Sequence, residues 1–253
     1  MSRKNNRPVD GESGQAAVEA ALTLPLSIFL ILGTIQFFLL LQARTMTEYA
    51  AFRAVRTGSV KHANCEAMTH AAIAALLPTF ARTDSPAALG AAFRNHRDNE
   101  YTAGHDSGHT GAIVWIVRER PVRGEIRANE EESFDDPARY TSVADVTRLE
   151  ARLVFWYPMR IPFANWVLGR MFLAHLGLRD YTADNPLMSP QRAQWGSQTA
   201  FRLNGLIGQE LLDRASRHQY VFPLQANYAM RMMTPPRPRY FARQNCAPTP
   251  EGL

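Results

Sequence analysis

From Ala20 to Ala43 the chain runs 24 residues without a charge, with Thr23, Ser27, Thr34 and Gln36 among the few that interrupt the apolar surface. As a helix this segment rises about 36 Å, enough to cross a hydrocarbon core of about 30 Å. A buried core helix would be shorter and carry a polar stripe. A secretory signal would have an apolar region of about 7 to 15 residues, and cleavage after Ala43 would place Arg44 just beyond the cut. The segment therefore reads as a membrane span. Met46, Ala50, Ala51 and Ala54 carry the helix onward to about Lys61, with Gly58 the first breaker. A second helix is expected over Glu66 to Leu77, capped by Asn64 and stopped by Pro78. Ser85 and Pro86 open a third, reaching about Arg97.

Beyond this point the period changes. Asp98 to Gly111 is polar and reads as a loop, and Ala112 to Val117 is a short apolar run with β-branched enrichment, expected as a strand. Glu130 to Pro137 is acidic and turn-like. Leu149, Ala151, Leu153, Phe155 and Tyr157 alternate with Arg148, Glu150 and Arg152, the pattern of a half-buried strand. Phe163 to Leu176 reads as a core helix, with a helix lying on a membrane surface as the alternative. Ser189-Pro190 opens a helix towards Arg217, and Leu224, Ala226, Tyr228, Met230 and Met232 alternate as a final strand. The five prolines between Pro235 and Leu253 predict an extended or disordered tail. Strands and helices in this order predict an α+β fold: a long N-terminal transmembrane helix continuing into a domain with a small antiparallel sheet and several helices.

Composition adds exclusions. With 46% apolar and 20% charged residues in 253, the chain can bury a core and is not disordered throughout. The net charge of +5 is spread with no run of five or six basic residues, which argues against nucleic-acid binding. Cys65 and Cys246 lie too far apart for a CxxC pattern; in an oxidising compartment they could pair, closing a loop worth about 4 to 5 kcal/mol, and sequence alone leaves this open. His96, His105 and His109 with Asp106 resemble metal ligands but read as a solvated loop. Glu130, Glu131, Glu132, Asp135 and Asp136 lack calcium-loop spacing. Neither Ser107-Gly108 nor Ser197 sits in a nucleophile elbow, and no Gly-rich loop follows a strand. No metal, cofactor or enzymatic activity is expected. Met230, Met232 and Met233 serve either core packing or an adaptable contact surface.

Two residues are odd for a plain anchor. Glu19 places a carboxylate at the start of the apolar segment, where it costs up to a few kcal/mol unless paired. Pro25 removes a backbone hydrogen bond. The string Gly14-Gln15-Ala16-Ala17-Val18-Glu19, followed by Ala20-Ala21-Leu22-Thr23-Leu24-Pro25-Leu26, resembles the prepilin signal of the TadE-like pseudopilins of tight-adherence (Tad/Flp) pili. There a hydrophilic leader ends in Gly, a prepilin peptidase cuts after it, and Glu is the fifth residue of the mature chain. The resemblance extends to Gly33, Gln36, Ala43 and Arg44, and more loosely to the segments 157–163 and 222–232.

The resemblance implies processing between Gly14 and Gln15, and subunit assembly through Glu19, Ala16, Ala17 and Pro25. It divides the chain into a leader (1–14), a transmembrane and assembly helix (15–43), an extracytoplasmic domain (44–234) and a Pro-rich tail (235–253). The partners implied are the prepilin peptidase, other pilin and pseudopilin subunits, and the inner-membrane assembly platform. The N-terminus would be cytoplasmic and the domain periplasmic or carried into the pilus. The charges do not fix this orientation, because Arg3, Lys4 and Arg7 precede the span while Arg44, Arg53, Arg56 and Lys61 follow it. Gln15 departs from the Phe common in type IV pilins, which puts N-methylation in doubt. A domain of about 210 residues points to a minor, scarce subunit at the tip, base or initiation complex rather than a major pilin, which is little more than its helix, and the resemblance implies an adhesion-related role. The alternative is an anchored periplasmic binding or sensor module whose helix only tethers.

Overall fold

The structure, a computed structural model, describes residues 12–102, 110–126, 134, 147–176 and 205–253. In chain order its elements are α1 (Glu12–Val60), α2 (Cys65–Phe80), α3 (Pro86–His96), β1 (Glu100–Thr102), β2 (Thr110–Ala112), β3 (Val114–Arg120), β4 (Arg148–Pro158), α4 (Ala164–His175), α5 (Gly205–Ser216) and β5 (Val221–Arg231). A long apolar helix leads into helices and two small antiparallel sheets, the expected α+β architecture.

The second half of α1 belongs to the domain. Gln36, Ala43, Thr47, Ala50, Ala51, Ala54, Val55 and Ser59 are buried, and their spacing in steps of three and four makes one stripe down the helix. The small residues let α2 approach closely and present Met68, Ala72, Ile73, Leu76 and Leu77, all buried in the same core. Asn64 caps α2 as expected, its Oδ1 accepting the Ala67 N–H at 3.2 Å, and Ser85 caps α3 from Ala88 at 3.2 Å with Pro86 in the first turn.

Two breakers act differently from the expectation. Pro78 lies inside α2 rather than ending it: in the last turn it forfeits only one bond, and the Ala81 N–H closes the helix onto the Leu77 carbonyl at 2.8 Å. Gly58 sits within α1, where a Cβ would lie 2.5 Å from Leu149 Cδ2 and 2.8 Å from Met68 Sδ. Its missing side chain serves packing, not termination. The helix ends two residues later through His62 and Ala63, both at positive φ (56° and 59°), with the Ala63 N–H returning to the Gly58 carbonyl at 2.8 Å. That conformation is unfavourable for residues with a Cβ. It is held by the His62 N–H donating to Thr234 Oγ1 at 3.1 Å and by the Thr234 N–H donating to the Ser59 carbonyl at 3.1 Å.

β3, β4 and β5 form an antiparallel sheet in that order, with Ile116 opposite Leu153 and Phe155 opposite Leu224. Leu149, Ala151, Leu153, Phe155 and Tyr157 of β4 share one face with Val114, Ile116, Leu224 and Ala226, against α1 and α2. The opposite face is not left to solvent, as half-burial would require. Trp115, Val154, Trp156 and Val221 pack there against Ile207 and Leu211 of α5 and Leu173 of α4.

The strand expected over 112–117 is broken at Ile113. Asn99 inserts its side chain, with Oδ1 accepting from the Ile113 and Val114 N–H at 3.1 and 2.9 Å and Nδ2 donating to the Val114 carbonyl at 2.8 Å. The ends of the expected 98–111 loop pair as β1 and β2, with Tyr101 opposite Gly111. The expected Ser189-Pro190 helix start and the acidic residues Glu130, Glu131, Glu132, Asp135 and Asp136 lie outside the described residues, and α5 begins at Gly205.

The C-terminal segment is the main correction. Residues 235–253, expected as an extended or disordered tail, fold back along β3 with Phe241, Asn245, Cys246 and Thr249 buried. The Cys246 N–H donates to the Ile116 carbonyl at 3.0 Å, and Thr249 Oγ1 accepts the Ile116 N–H at 2.8 Å. The free edge of the sheet is thereby covered. The segment needs few ladder bonds, so prolines are tolerated in it. Cys246 is joined to Cys65 by a disulfide of 2.06 Å across 181 residues. The Glu251 carboxylate then closes the segment, accepting from Arg243 Nε at 2.9 Å and the Gln244 N–H at 3.1 Å.

Candidate functional site

Gly14, Gln15, Ala16, Ala17, Glu19 and Pro25 all lie on the first part of α1, exposed. Gln15 and Glu19 are four apart and share a face, while Ala16, Ala17, Ala20 and Ala21 make a neighbouring stripe of methyl groups. Around Gly14 a Cβ would meet nothing within 4 Å. Continuing towards the domain, Thr23 Oγ1 donates to the Glu19 carbonyl at 2.9 Å, Ser27 Oγ to the Thr23 carbonyl at 2.9 Å, and Thr34 Oγ1 to the Leu30 carbonyl at 2.7 Å. Each hydroxyl is thus satisfied by its own helix, the condition for a polar side chain to sit in lipid. Pro25 has no N–H for the Ala21 carbonyl, yet the helix runs through it unbroken. Among the described residues this is the one helix long and apolar enough to cross a membrane, and it suits a single-pass anchor.

The domain begins on the helix at Gln36, which is 1% exposed and whose Oε1 accepts the Ile161 N–H at 2.9 Å. One further contact lies lower: Phe29 meets Phe163 edge to face, centroids 5.9 Å apart. Leu39 and Leu40 pack against the core. Ile31, Ile35, Phe38 and Leu41 remain exposed on the other side. The upper part of the apolar segment therefore has two faces, one seated on the domain and one open.

Of the other candidates, His96 is an aromatic packing residue, stacked on Tyr101 and edge-on to Phe80 at 5.3 Å. His105, Asp106, His109, Ser107, Gly108 and Ser197 lie outside the described residues. Among the described residues no three His, Cys, Asp or Glu gather where they could hold a metal. Met232 is buried in the core and Met233 is exposed.

Two buried arginines escaped the sequence reading. Arg118 donates Nε to the Gln244 carbonyl at 2.8 Å, Nη1 to the carbonyls of Ala63 and Tyr240 at 2.9 Å each, and Nη2 to the Arg243 carbonyl at 2.6 Å. Burial lowers its pKa to about 10 against the opposing pull of Glu251. Arg214 lies over Trp156 at 4.5 Å, bonds Glu210 at 2.7 Å and donates to the Ala112 carbonyl at 2.9 Å. Burial pushes its pKa down and Glu210 pulls it back. Gly111 makes room for it, since a Cβ there would stand 2.9 Å from the guanidinium carbon. A signal existed for both. Arg118 shares the strand parity of the core residues Val114 and Ile116, and Arg214 continues the helical spacing of Ile207 and Leu211.

No curated protein and no solved structure matches the chain. Residues 14–56 match the family model described as TadE-like protein, a match that ends within α1 and leaves the domain outside it. The helix that carries the Gly14-to-Glu19 string, the apolar span and most of the domain seat is thus similar to that family, which supports a TadE-like protein of Tad pilus systems.

Proposed function

We propose that the chain is a minor pseudopilin, cut by a prepilin peptidase between Gly14 and Gln15, that takes part in assembly or initiation of a Tad pilus, with an adhesion-related role. The observation that carries this is the Gly14-to-Glu19 string at the start of an apolar helix left uncovered by its own domain. Hydrolysis of the Gly14–Gln15 bond consumes one water, leaving a carboxylate on Gly14 and an ammonium on Gln15. The new helix start also exposes backbone N–H groups with no partner in the helix. Both features attract a carboxylate, and Glu19 of a neighbouring subunit supplies it where either charge alone is costly. Ala16, Ala17, Ala20 and Ala21 allow the helices to come close enough for that pairing. The assembly partners are other pilin and pseudopilin subunits and the inner-membrane assembly platform.

In this reading the N-terminus is cytoplasmic and the domain periplasmic. The Cys65–Cys246 disulfide supports that side, since such bonds persist in oxidising compartments. Mass spectrometry of the native membrane form tests the processing: the expected chain begins at Gln15, and one that retains Met1 or begins at Arg44 overturns it. Replacing residues 1–43 with an unrelated membrane anchor tests the assembly role. Loss of pili is expected. Full function would instead favour a binding or sensor module on a simple tether.

A further inference from the structure

The free length of α1 sets the height of the domain above a membrane. A hydrocarbon core of about 30 Å takes about 20 residues of helix. Counted from Gly14 these run out near Gly33, just short of Gln36, the first side chain that the domain buries completely. No spacer remains between the span and the domain. Phe163 touches Phe29, which lies about 10 Å back down the helix from Gln36 at 1.5 Å per residue. If the count starts at Glu19 the core ends near Leu39, and that contact lies deeper still. On either count, the loop before α4 enters the apolar layer.

The side chains there suit that position. Ala164, Gly169 and Leu173 are buried, while Phe163, Trp166 and Met171 stand 48%, 40% and 57% exposed. Phe163 and Trp166 lie about one turn apart, and Met171, about 140° round the helix from Trp166, stands at the other margin of the exposed arc. Phe163 and Trp166 stack at 6.4 Å, and the Arg170 guanidinium lies over Trp166 at 4.8 Å. α4 itself carries Arg170 and His175 and no acidic residue. An aromatic and apolar face that carries an arginine and no carboxylate is what the boundary between acyl chains and anionic headgroups accommodates. The expectation of a core helix thus accounts for one side of α4 only.

We infer that α4 is an interfacial helix, its Phe163–Trp166–Met171 face seated in the outer part of the same bilayer that α1 crosses, so that the domain rests on the lipid surface instead of standing off it. This rests on α1 being a membrane span and is independent of any pilus role. The face is continuous with the lipid-facing surface of α1 through Phe29, and this favours lipid over a second copy of the chain.

The test uses the full chain in vesicles of phosphatidylcholine and phosphatidylglycerol. A nitroxide is placed on one new cysteine at a time: Met171→Cys on α4, Leu24→Cys on α1, and Met233→Cys at the far end of the domain. Cys65 and Cys246 are paired and do not take label. Expected are collision ratios of oxygen over a water-soluble nickel chelate that are several-fold higher at 24 and 171 than at 233. A water-like value at 171 beside a lipid-like value at 24 overturns the inference and leaves the span intact. Water-like values at both overturn the anchor reading itself. Spin–spin broadening at 171 that disappears on dilution with unlabelled protein would assign the face to a second copy and also overturn the inference.

Discussion

The guanidinium of Arg118 lies over the ring of Phe241, its carbon 3.7 Å from the ring centroid, while its nitrogens reach four backbone carbonyls, three of them in the segment 240–244. A planar cation with a fixed fork of donors can hold a non-repetitive strand of chain in this way, and an ammonium cannot. Arg118→Met should therefore cost about 3 kcal/mol or more, since it leaves buried carbonyls without donors. Arg118→Lys should recover only part of that loss. Urea unfolding of the detergent-solubilised protein, wild type against both variants, measures it; equal stability of all three would remove the clamp.

The disulfide fixes the same segment from another side, since Cys65 opens α2 and Cys246 bridges to Ile116 on the edge of β3. Closing a loop of 181 residues contributes about 2 to 5 kcal/mol. The Cys65→Ala, Cys246→Ala variant should lose stability in that range. It should also become open to trypsin at Arg239 and Arg243 before the main sheet unfolds, because β5 and β4 keep their pairing without it. Cleavage sites read by mass spectrometry check the order. Simultaneous loss of the whole domain would show that this segment is part of the core and not a cover for its edge.

How far the sequence revealed this depends on the range of the interactions. Caps and periods are local, so Asn64, Ser85 and the alternation from Leu149 to Tyr157 could be read directly. The apolar helix could also be read, together with the Gly14-to-Glu19 string that the family match at residues 14–56 covers. The order of the C-terminal segment was not legible. Five prolines gave a local signal for extension, whereas the forces that hold it come from Arg118, Ile116 and Cys65, more than a hundred residues away. Gly58 was misread for the same reason. Its partners are Leu149 and Met68, and only the packed α1–α2–β4 layer shows that the position needs space rather than flexibility. The open face of α4 is likewise defined by where Phe163 meets α1, which no period within 163–176 encodes.

Gly58 gives a direct test of that packing. With Leu149 Cδ2 at 2.5 Å and Met68 Sδ at 2.8 Å from the added Cβ, Gly58→Ala should destabilise by about 1 to 3 kcal/mol through overpacking. This should happen even though alanine is the better helix former by about 1 kcal/mol. The sign separates the two effects. Adding Leu149→Ala should make room for the new methyl group, so the double variant should lose less than the sum of the single ones. Additive losses in thermal unfolding would mean that the clash is not what limits this position.

Glu19 places a charge at the start of the apolar span. Glu19 is exposed on α1, one turn beyond the proposed new N-terminus at Gln15, and its own helix gives it no cation within the following turn. If its role is to meet the ammonium of a neighbouring chain, Glu19→Ala should leave cleavage after Gly14 unchanged and lower pilus assembly by tenfold or more. That factor corresponds to about 1.4 kcal/mol, a modest share of what an apolar surrounding adds to a charge pair. Glu19→Asp keeps the charge but shortens the reach by one methylene, and should assemble better than Glu19→Ala but below wild type. Glu19→Gln separates charge from shape: it can still accept hydrogen bonds from free backbone N–H groups, so assembly close to wild type would place the contact on the helix end rather than on the ammonium. Immunoblots of sheared pili, read beside the processed form in the membrane fraction, distinguish an assembly defect from a processing one. Normal pili in the Glu19→Ala strain would remove the carboxylate from the mechanism.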